Sequence, residues 1–125
     1  MPNLFLVMLG GALGAGARHL VGRATLAAWG ASYPWGTLIV NLSGGLLMGV
    51  LAATLARIGE GGEQWRLLLA VGVLGGFTTF SAFSLETMVM IERGDWIPAL
   101  GYALASVIGS VAALALGLQL TRVAL

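Results

Sequence analysis

The stretch LLLAVGVLGGFTTFSAFSL, residues 67–85, decides the fold class of this chain. It carries no charged side chain and is close to the length of about 20 apolar residues that a helix needs to cross a bilayer. Its middle is a poor helix interior, because the pair Gly75-Gly76 and the β-branched pair Thr78-Thr79 both disfavour helix. The stretch therefore predicts a membrane helix that is interrupted near its centre.

Three more uncharged stretches lie outside this one, over residues 2–17, 24–56 and 96–121. The second of them contains a turn signal, Ser32-Tyr33-Pro34-Trp35-Gly36, which separates two helices. We expect an all-α membrane protein with four transmembrane helices in one domain that covers residues 1–125. The predicted helices cover about residues 3–29, 36–57, 66–91 and 96–121.

The composition supports a membrane protein and argues against several other classes. Of 125 residues, 58% are hydrophobic and 9% are charged, whereas soluble domains carry about 25% charged residues. The net charge of +1 gives no electrostatic footprint for nucleic acid. There is no Cys and one His, and no nucleophile–base pair, metal-ligand cluster or phosphate loop indicates an enzyme.

The Arg residues are spread almost evenly over the two ends of the predicted helices. The side with the second loop and the C-terminus would hold Arg57, Arg66 and Arg122. The opposite side would hold Arg23, Arg93 and, within the first helix, Arg18. Orientation normally follows an excess of Lys and Arg on one side, so this balance predicts insertion in both orientations and an antiparallel homodimer. A single orientation set by another feature is the alternative.

Glycine pairs at four-residue spacing predict close contacts between helices. These pairs are Gly10 with Gly14, Gly45 with Gly49, and Gly72 with Gly76. Four small helices enclose too little volume for a pathway of their own, which again favours an oligomer.

Polar side chains inside the predicted helices are the functional candidates, because an ionisable group at membrane depth costs about 2.5–3.5 kcal/mol. Arg18 shares a helix face with Gly11 and Gly14, and it either faces the packed side or extends to the headgroups. Glu86 is the one acid inside a predicted span, unless it lies at the membrane interface.

Two polar stripes favour a narrow polar pathway. Thr37 and Asn41 share a face of the second helix, and Tyr102, Ser106 and Ser110 share a face of the fourth. The alternative is a set of interhelical hydrogen bonds that only hold the bundle together, at about 0.6 kcal/mol each.

The segment around the interruption combines aromatic and hydroxyl side chains. Phe80 and Phe83 could present their positive ring edges to an anion, or they could form a packing stripe. Backbone carbonyls freed by a break at membrane depth commonly coordinate a small cation. The residues alone leave these alternatives open.

Three segments resemble the signatures of the Fluc (CrcB) fluoride channel family. They are GALGAGAR at residues 11–18, GTLIVNLSG at 36–44 and GGFTTFSAFSLE at 75–86, and the third is the most specific. The resemblance covers the whole chain in length and in the order and spacing of the helices. It implies a fluoride-specific channel in the inner or plasma membrane, which exports F⁻ down its electrochemical gradient and lowers fluoride toxicity in the cytoplasm.

The resemblance also implies roles for individual residues in a dual-topology homodimer. Fluoride would pass the residues Asn41, Phe80, Phe83, Ser106, Ser110 and Thr37. The backbone carbonyls of Gly75 and Thr78, with their copies in the second subunit, would hold one structural Na⁺ at the dimer centre. Structural or vestibule roles would fall to Arg18, Glu86 and Tyr102. His19 stands where the family often has an aromatic residue.

Two other classes are weaker alternatives. A dual-topology antiporter that exchanges small molecules for protons would need a carboxylate in its first helix, and residues 3–29 contain none. A holin-like assembly protein gives no reason for the aligned polar stripes.

Overall fold

The computed structural model describes residues 2–124, and this part of the chain is helical between short turns. Helix α1 covers Pro2–Trp29 and α2 covers Trp35–Ile58. The last helix, which we label α6, covers Trp96–Ala124. The predicted ranges 3–29, 36–57 and 96–121 differ from these bounds by at most three residues.

The third helical segment, between α2 and α6, is a composite. After a 3₁₀ turn at Gly59–Gly62, it contains α3 at Glu63–Trp65, a π-helix at Arg66–Leu74, α4 at Gly75–Phe77 and α5 at Ser81–Glu92. The chain is extended at Thr78, with φ −81° and ψ 159°, so the helical path stops between α4 and α5. We call residues 78–80 the break. The π-helix was not foreseen, because its wider turns leave no signature in a hydropathy pattern.

Three helical stretches are long and apolar enough to cross a membrane: Asn3–Trp29, Trp35–Glu92 and Trp96–Ala124. Large apolar side chains remain exposed on their outer faces, for example Leu13 at 60% and Val111 at 66%. Such faces are stable against lipid and costly against water. The chain is therefore an all-α, multi-pass membrane protein.

The glycine pairs lie where the helices pack, as the spacing predicted. A methyl group on Gly10 would lie 2.9 Å from the Cα atom of Gly72, where α1 crosses the π-helix. A methyl group on Gly45 would lie 2.7 Å from the Ser110 carbonyl oxygen, where α2 crosses α6. Only glycine allows backbones this close, so these contacts fix how α1 lies on the third segment and how α2 lies on α6.

A small buried cluster connects α2, α5 and α6. It consists of Leu38, Met90, Ala99 and Tyr102, and the half-buried ring of Phe83 packs against it. The cluster holds α5 against α6 just beyond the break, and thereby positions the polar side chains described below.

Candidate functional site

A cavity of about 510 Å³ opens between α2, the break and α6. We call it the central cleft. Its polar lining comes from Asn41, Thr78, Thr79, Ser106 and Ser110, beside the rings of Phe80 and Phe83. The remaining lining is glycine and aliphatic, from Gly44, Gly45, Met48, Gly75, Val107, Val111 and Leu114. Within the described chain, every residue lining this cleft is uncharged.

Asn41 joins α2 to the break by two hydrogen bonds. Its Nδ2 donates to the Thr79 carbonyl at 3.2 Å, and the Thr79 amide N–H donates to its Oδ1 at 3.1 Å. An asparagine amide carries two N–H donors, so this pairing uses one of them. The side chain thus holds the break in place and retains a donor at the cleft.

The hydrogen bonds around the break divert donors away from two carbonyls. In a continuous α-helix the Thr79 N–H would donate to the carbonyl of Gly75, and the Ala82 N–H to that of Thr78. Instead, the Thr79 N–H donates to Asn41, and the Ala82 N–H donates to the Thr79 hydroxyl at 3.3 Å. The carbonyls of Gly75 and Thr78 therefore lose their helical donors.

The Thr78 side chain is occupied by local contacts. Its hydroxyl donates to the Leu74 carbonyl at 2.9 Å. Its methyl group packs so closely against Gly44 that a methyl group added to Gly44 would clash with it. At this residue the backbone carbonyl is what remains available to a ligand.

The two phenylalanines of the cleft differ in exposure. Phe80 is 75% exposed, whereas Phe83 is half-buried. Their ring centroids are 5.6 Å apart, and the Phe83 ring lies 5.2 Å from that of Tyr102. The Phe83 ring is thereby fixed by the buried cluster, while Phe80 projects from the break.

Ser106 and Ser110 follow each other on the face of α6 that lines the cleft. The Ser106 hydroxyl is buried and has no hydrogen-bond partner among residues 2–124. A buried hydroxyl without a partner costs about 1–3 kcal/mol, so it indicates a place for a ligand or a water molecule.

A second cavity, of about 350 Å³, lies between α1, α2 and α5. We call it the mouth cavity. Its polar and charged lining comes from Arg18, His19, Arg23, Thr37 and Glu86. The structure therefore separates Thr37 from the other predicted pathway residues and groups it with Arg18 and Glu86.

Tyr102 connects the two cavities. It is fully buried, and its hydroxyl donates to Glu86 Oε1 at 3.0 Å. Its ring contacts Phe83 at the central cleft. Glu86, Tyr102 and Phe83 thus form one continuous path of contacts from the mouth cavity to the central cleft.

The sequence pattern placed Thr79 at the interruption but did not predict that its backbone and hydroxyl organise the break. The available signal was Asn41, because an amide at membrane depth needs partners for both its donor and its acceptor. The amino-acid pattern alone does not show which residue of another helix pairs with Asn41.

This geometry defines a class of protein: a small helical membrane protein with an uncharged, donor-lined cleft beside an interrupted helix. The family model described as "CrcB-like protein, Camphor Resistance (CrcB)" matches residues 5–118. The chain belongs to this family, which confirms the resemblance seen in its motifs.

Relatives that match nearly the whole chain carry the name fluoride-specific ion channel FluC. The protein of Caulobacter sp. (strain K31) is 59% identical over 98% of this chain and 96% of its own length. The proteins of Sphingopyxis alaskensis and Mesorhizobium japonicum are 55% and 54% identical, each over 98% of this chain and over 97% and 98% of their own lengths. A family of channels is not a family of enzymes, in agreement with the sequence analysis.

Proposed function

We propose that this protein is a fluoride-specific ion channel that lets F⁻ leave the cell down its electrochemical gradient and so lowers fluoride toxicity in the cytoplasm. The observation that carries the proposal is the central cleft, which brings Asn41, Phe80, Phe83, Ser106 and Ser110 together on uncharged walls. The relatives described above are named fluoride-specific ion channels, and this chain matches nearly their full length. We infer the inner or plasma membrane as the location.

The chemistry of the cleft suits a small anion that has lost part of its water. The spare N–H of Asn41 and the free hydroxyl of Ser106 can replace lost hydrogen bonds, and the edges of Phe80 and Phe83 carry partial positive charge. These side chains are neutral, so none of them binds the ion as tightly as a charged side chain would. Permeation requires binding weak enough for release.

We further propose four membrane crossings. The middle apolar stretch, Trp35–Glu92, contains 58 residues, whereas one crossing needs about 20. The polar turn at Gly59–Gly62 divides it into two lengths that each suit one crossing. All four Trp residues lie at helix ends and are exposed, namely Trp29, Trp35, Trp65 and Trp96, as expected of rings at the two membrane interfaces.

A second copy in the opposite orientation would close the central cleft. The cleft is open on one side, where Phe80 is 75% exposed, and an open polar groove facing lipid leaves its donors unsatisfied. The balanced Arg distribution permits the antiparallel arrangement. The proposed assembly is therefore a dual-topology homodimer in which the copies complete each other's pathways.

We propose that the carbonyls of Gly75 and Thr78 bind a structural Na⁺ together with their copies in the second subunit. The support is the diversion of both helical donors at the break. Neutral carbonyl oxygens suit a hard cation, and without carboxylates a monovalent ion fits better than a divalent one. Na⁺ would supply positive charge near the pathway.

The sodium proposal is tested with purified protein stripped of Na⁺. Replacing Na⁺ by a large organic cation should lower dimer stability and fluoride flux, and Na⁺ should restore both. Thr78→Ser should behave like the natural protein, because the carbonyl is the proposed ligand, whereas Thr79→Pro should remove the response by reshaping the break. Indifference to Na⁺ would favour a break filled by water.

The channel proposal is tested by ion efflux from liposomes that contain the purified protein. We expect F⁻ efflux driven by its gradient alone, with Cl⁻ efflux at the background level of empty liposomes. Efflux that requires an opposing proton gradient would instead support the antiporter. Equal F⁻ and Cl⁻ efflux would contradict fluoride specificity.

A further inference from the structure

Arg18 contacts the interrupted helix as well as lining the mouth cavity. Its Nε donates to the carbonyl of Gly76 at 3.4 Å, one residue before the end of α4. In a continuous helix that carbonyl would receive the N–H of Phe80, but the extended backbone at Thr78 turns the chain away.

The position of Arg18 follows from how α1 packs on α4. A methyl group on Gly76 would lie 2.6 Å from the Gly11 carbonyl oxygen, so the two backbones are in direct contact there. Arg18 lies two helical turns after Gly11 on the same face of α1. Its half-buried side chain is thereby directed along α1 to the end of α4.

We infer that Arg18 is a positioning residue for the break. Its Nε–H supplies the donor that the Gly76 carbonyl loses at the end of α4. Arg18 thus stabilises the stop of α4 and, through it, the placement of Gly75, Thr78 and Thr79. The inference deepens the proposed function, because the break carries the proposed pathway and sodium ligands.

Arg23 provides the comparison that separates this role from simple attraction of anions. Arg23 lines the same mouth cavity. It lies more than one helical turn after Arg18 on α1, and its side chain is exposed. A role that depends on charge in the mouth cavity alone would apply to both arginines. A role in holding the break applies to Arg18 because of its contact with Gly76.

The test uses two substitutions of nearly equal length at residue 18. Arg18→Gln places an amide nitrogen where Nε stands and removes the charge, whereas Arg18→Met removes both donor and charge. Arg23→Met is the matched control. Hydrogen exchange of the amides of residues 78–82 is measured by mass spectrometry in lipid nanodiscs, with residues of α6 as the internal reference.

We expect Arg18→Met to speed exchange at residues 78–82 by at least about tenfold while α6 is unchanged. Arg18→Gln should stay within about threefold of the natural protein, and Arg23→Met should match it. Equal exchange in all four proteins, or equal acceleration by Gln and Met, would overturn the inference. If Arg18→Met does not fold, Arg18→Gln decides alone: native protection supports the donor role, and lost protection contradicts it.

The exchange measurement needs no fluoride and no transport. Failure of the channel proposal would be seen as absent fluoride efflux in the natural protein, whatever the exchange result. Failure of the Arg18 inference would be seen as unchanged exchange in a protein that still conducts.

Discussion

The carboxamide of Asn41 has two roles at the residue scale, because it holds Thr79 and retains one donor. We predict that Asn41→Asp lowers fluoride efflux by at least about a hundredfold, since a carboxylate cannot donate to the Thr79 carbonyl and repels an anion. Asn41→Leu removes the hydrogen bonds without adding charge and should conduct better than Asn41→Asp. Liposome efflux measures both, and an equally active Asn41→Asp would contradict a place for Asn41 on the pathway.

Substituting Ser106 distinguishes an effect on transport from an effect on stability. Because Ser106 Oγ is buried without a protein partner among the residues described, Ser106→Ala should leave the melting temperature unchanged or raise it. We predict that the same substitution lowers fluoride efflux by about tenfold, since the ion loses a donor. Ser43→Ala is the control, because Ser43 donates within its own helix to Ile39 at 2.6 Å. Undiminished efflux in Ser106→Ala would assign the hydroxyl to water.

The phenylalanines of the cleft are distinguished from packing residues by an aliphatic replacement. We predict that Phe80→Ile and Phe83→Ile assemble normally but conduct at least about tenfold less, because an aliphatic side chain has no positive edge. Phe5→Ile is the control, since Phe5 is 64% exposed on α1 and far in sequence from the cleft. Lost stability with full efflux in the surviving dimer would indicate packing instead.

At the scale of the elements, the contact of α2 with α6 sets the width of the central cleft. We predict that Gly45→Ala destabilises the protein by about 1–3 kcal/mol, because its methyl group would lie 2.7 Å from the Ser110 carbonyl oxygen. Gly101→Ala is the control, since the space beside Gly101 is open and alanine favours helix. Thermal unfolding in detergent compares them, and equal stability would contradict the close-packing argument.

The third segment shows why an interrupted helix can persist at membrane depth. Each backbone group set free by the break needs a partner, since no water replaces it in lipid. Asn41 from α2 and Arg18 from α1 supply partners to Thr79 and Gly76. The break is therefore stabilised by neighbouring helices as well as by its own threonine hydroxyls.

At the scale of the whole molecule, the orientation of the chain can be measured directly. The chain has no Cys, so Glu60→Cys places a unique thiol in the turn after α2. We predict that a membrane-impermeant maleimide labels about half of the copies from each face of the membrane. Labelling from one face alone would contradict dual topology. Two Arg added to the same turn should shift the labelling to one face.

Much of the architecture could be read from charge and hydropathy. The interval without charge at residues 96–121 predicts α6, observed at Trp96–Ala124, because charged residues end a helix that lies in lipid. The Gly pairs predicted which helix faces touch, since only small residues permit that approach. Of the predicted pathway residues, the central cleft contains Asn41, Phe80, Phe83, Ser106 and Ser110, whereas Thr37 lies in the mouth cavity.

The sequence by itself determined where the chain is apolar, where its helices begin and end, and which side chains are costly in lipid. Those properties depend on neighbours along the chain. The tertiary structure decided which polar groups meet: Asn41 with Thr79 over 38 residues, and Arg18 with Gly76 over 58. It also decided that the Ser106 hydroxyl stays without a partner in the part of the chain that the structure describes. Such pairings depend on how helices cross, which local propensity does not encode.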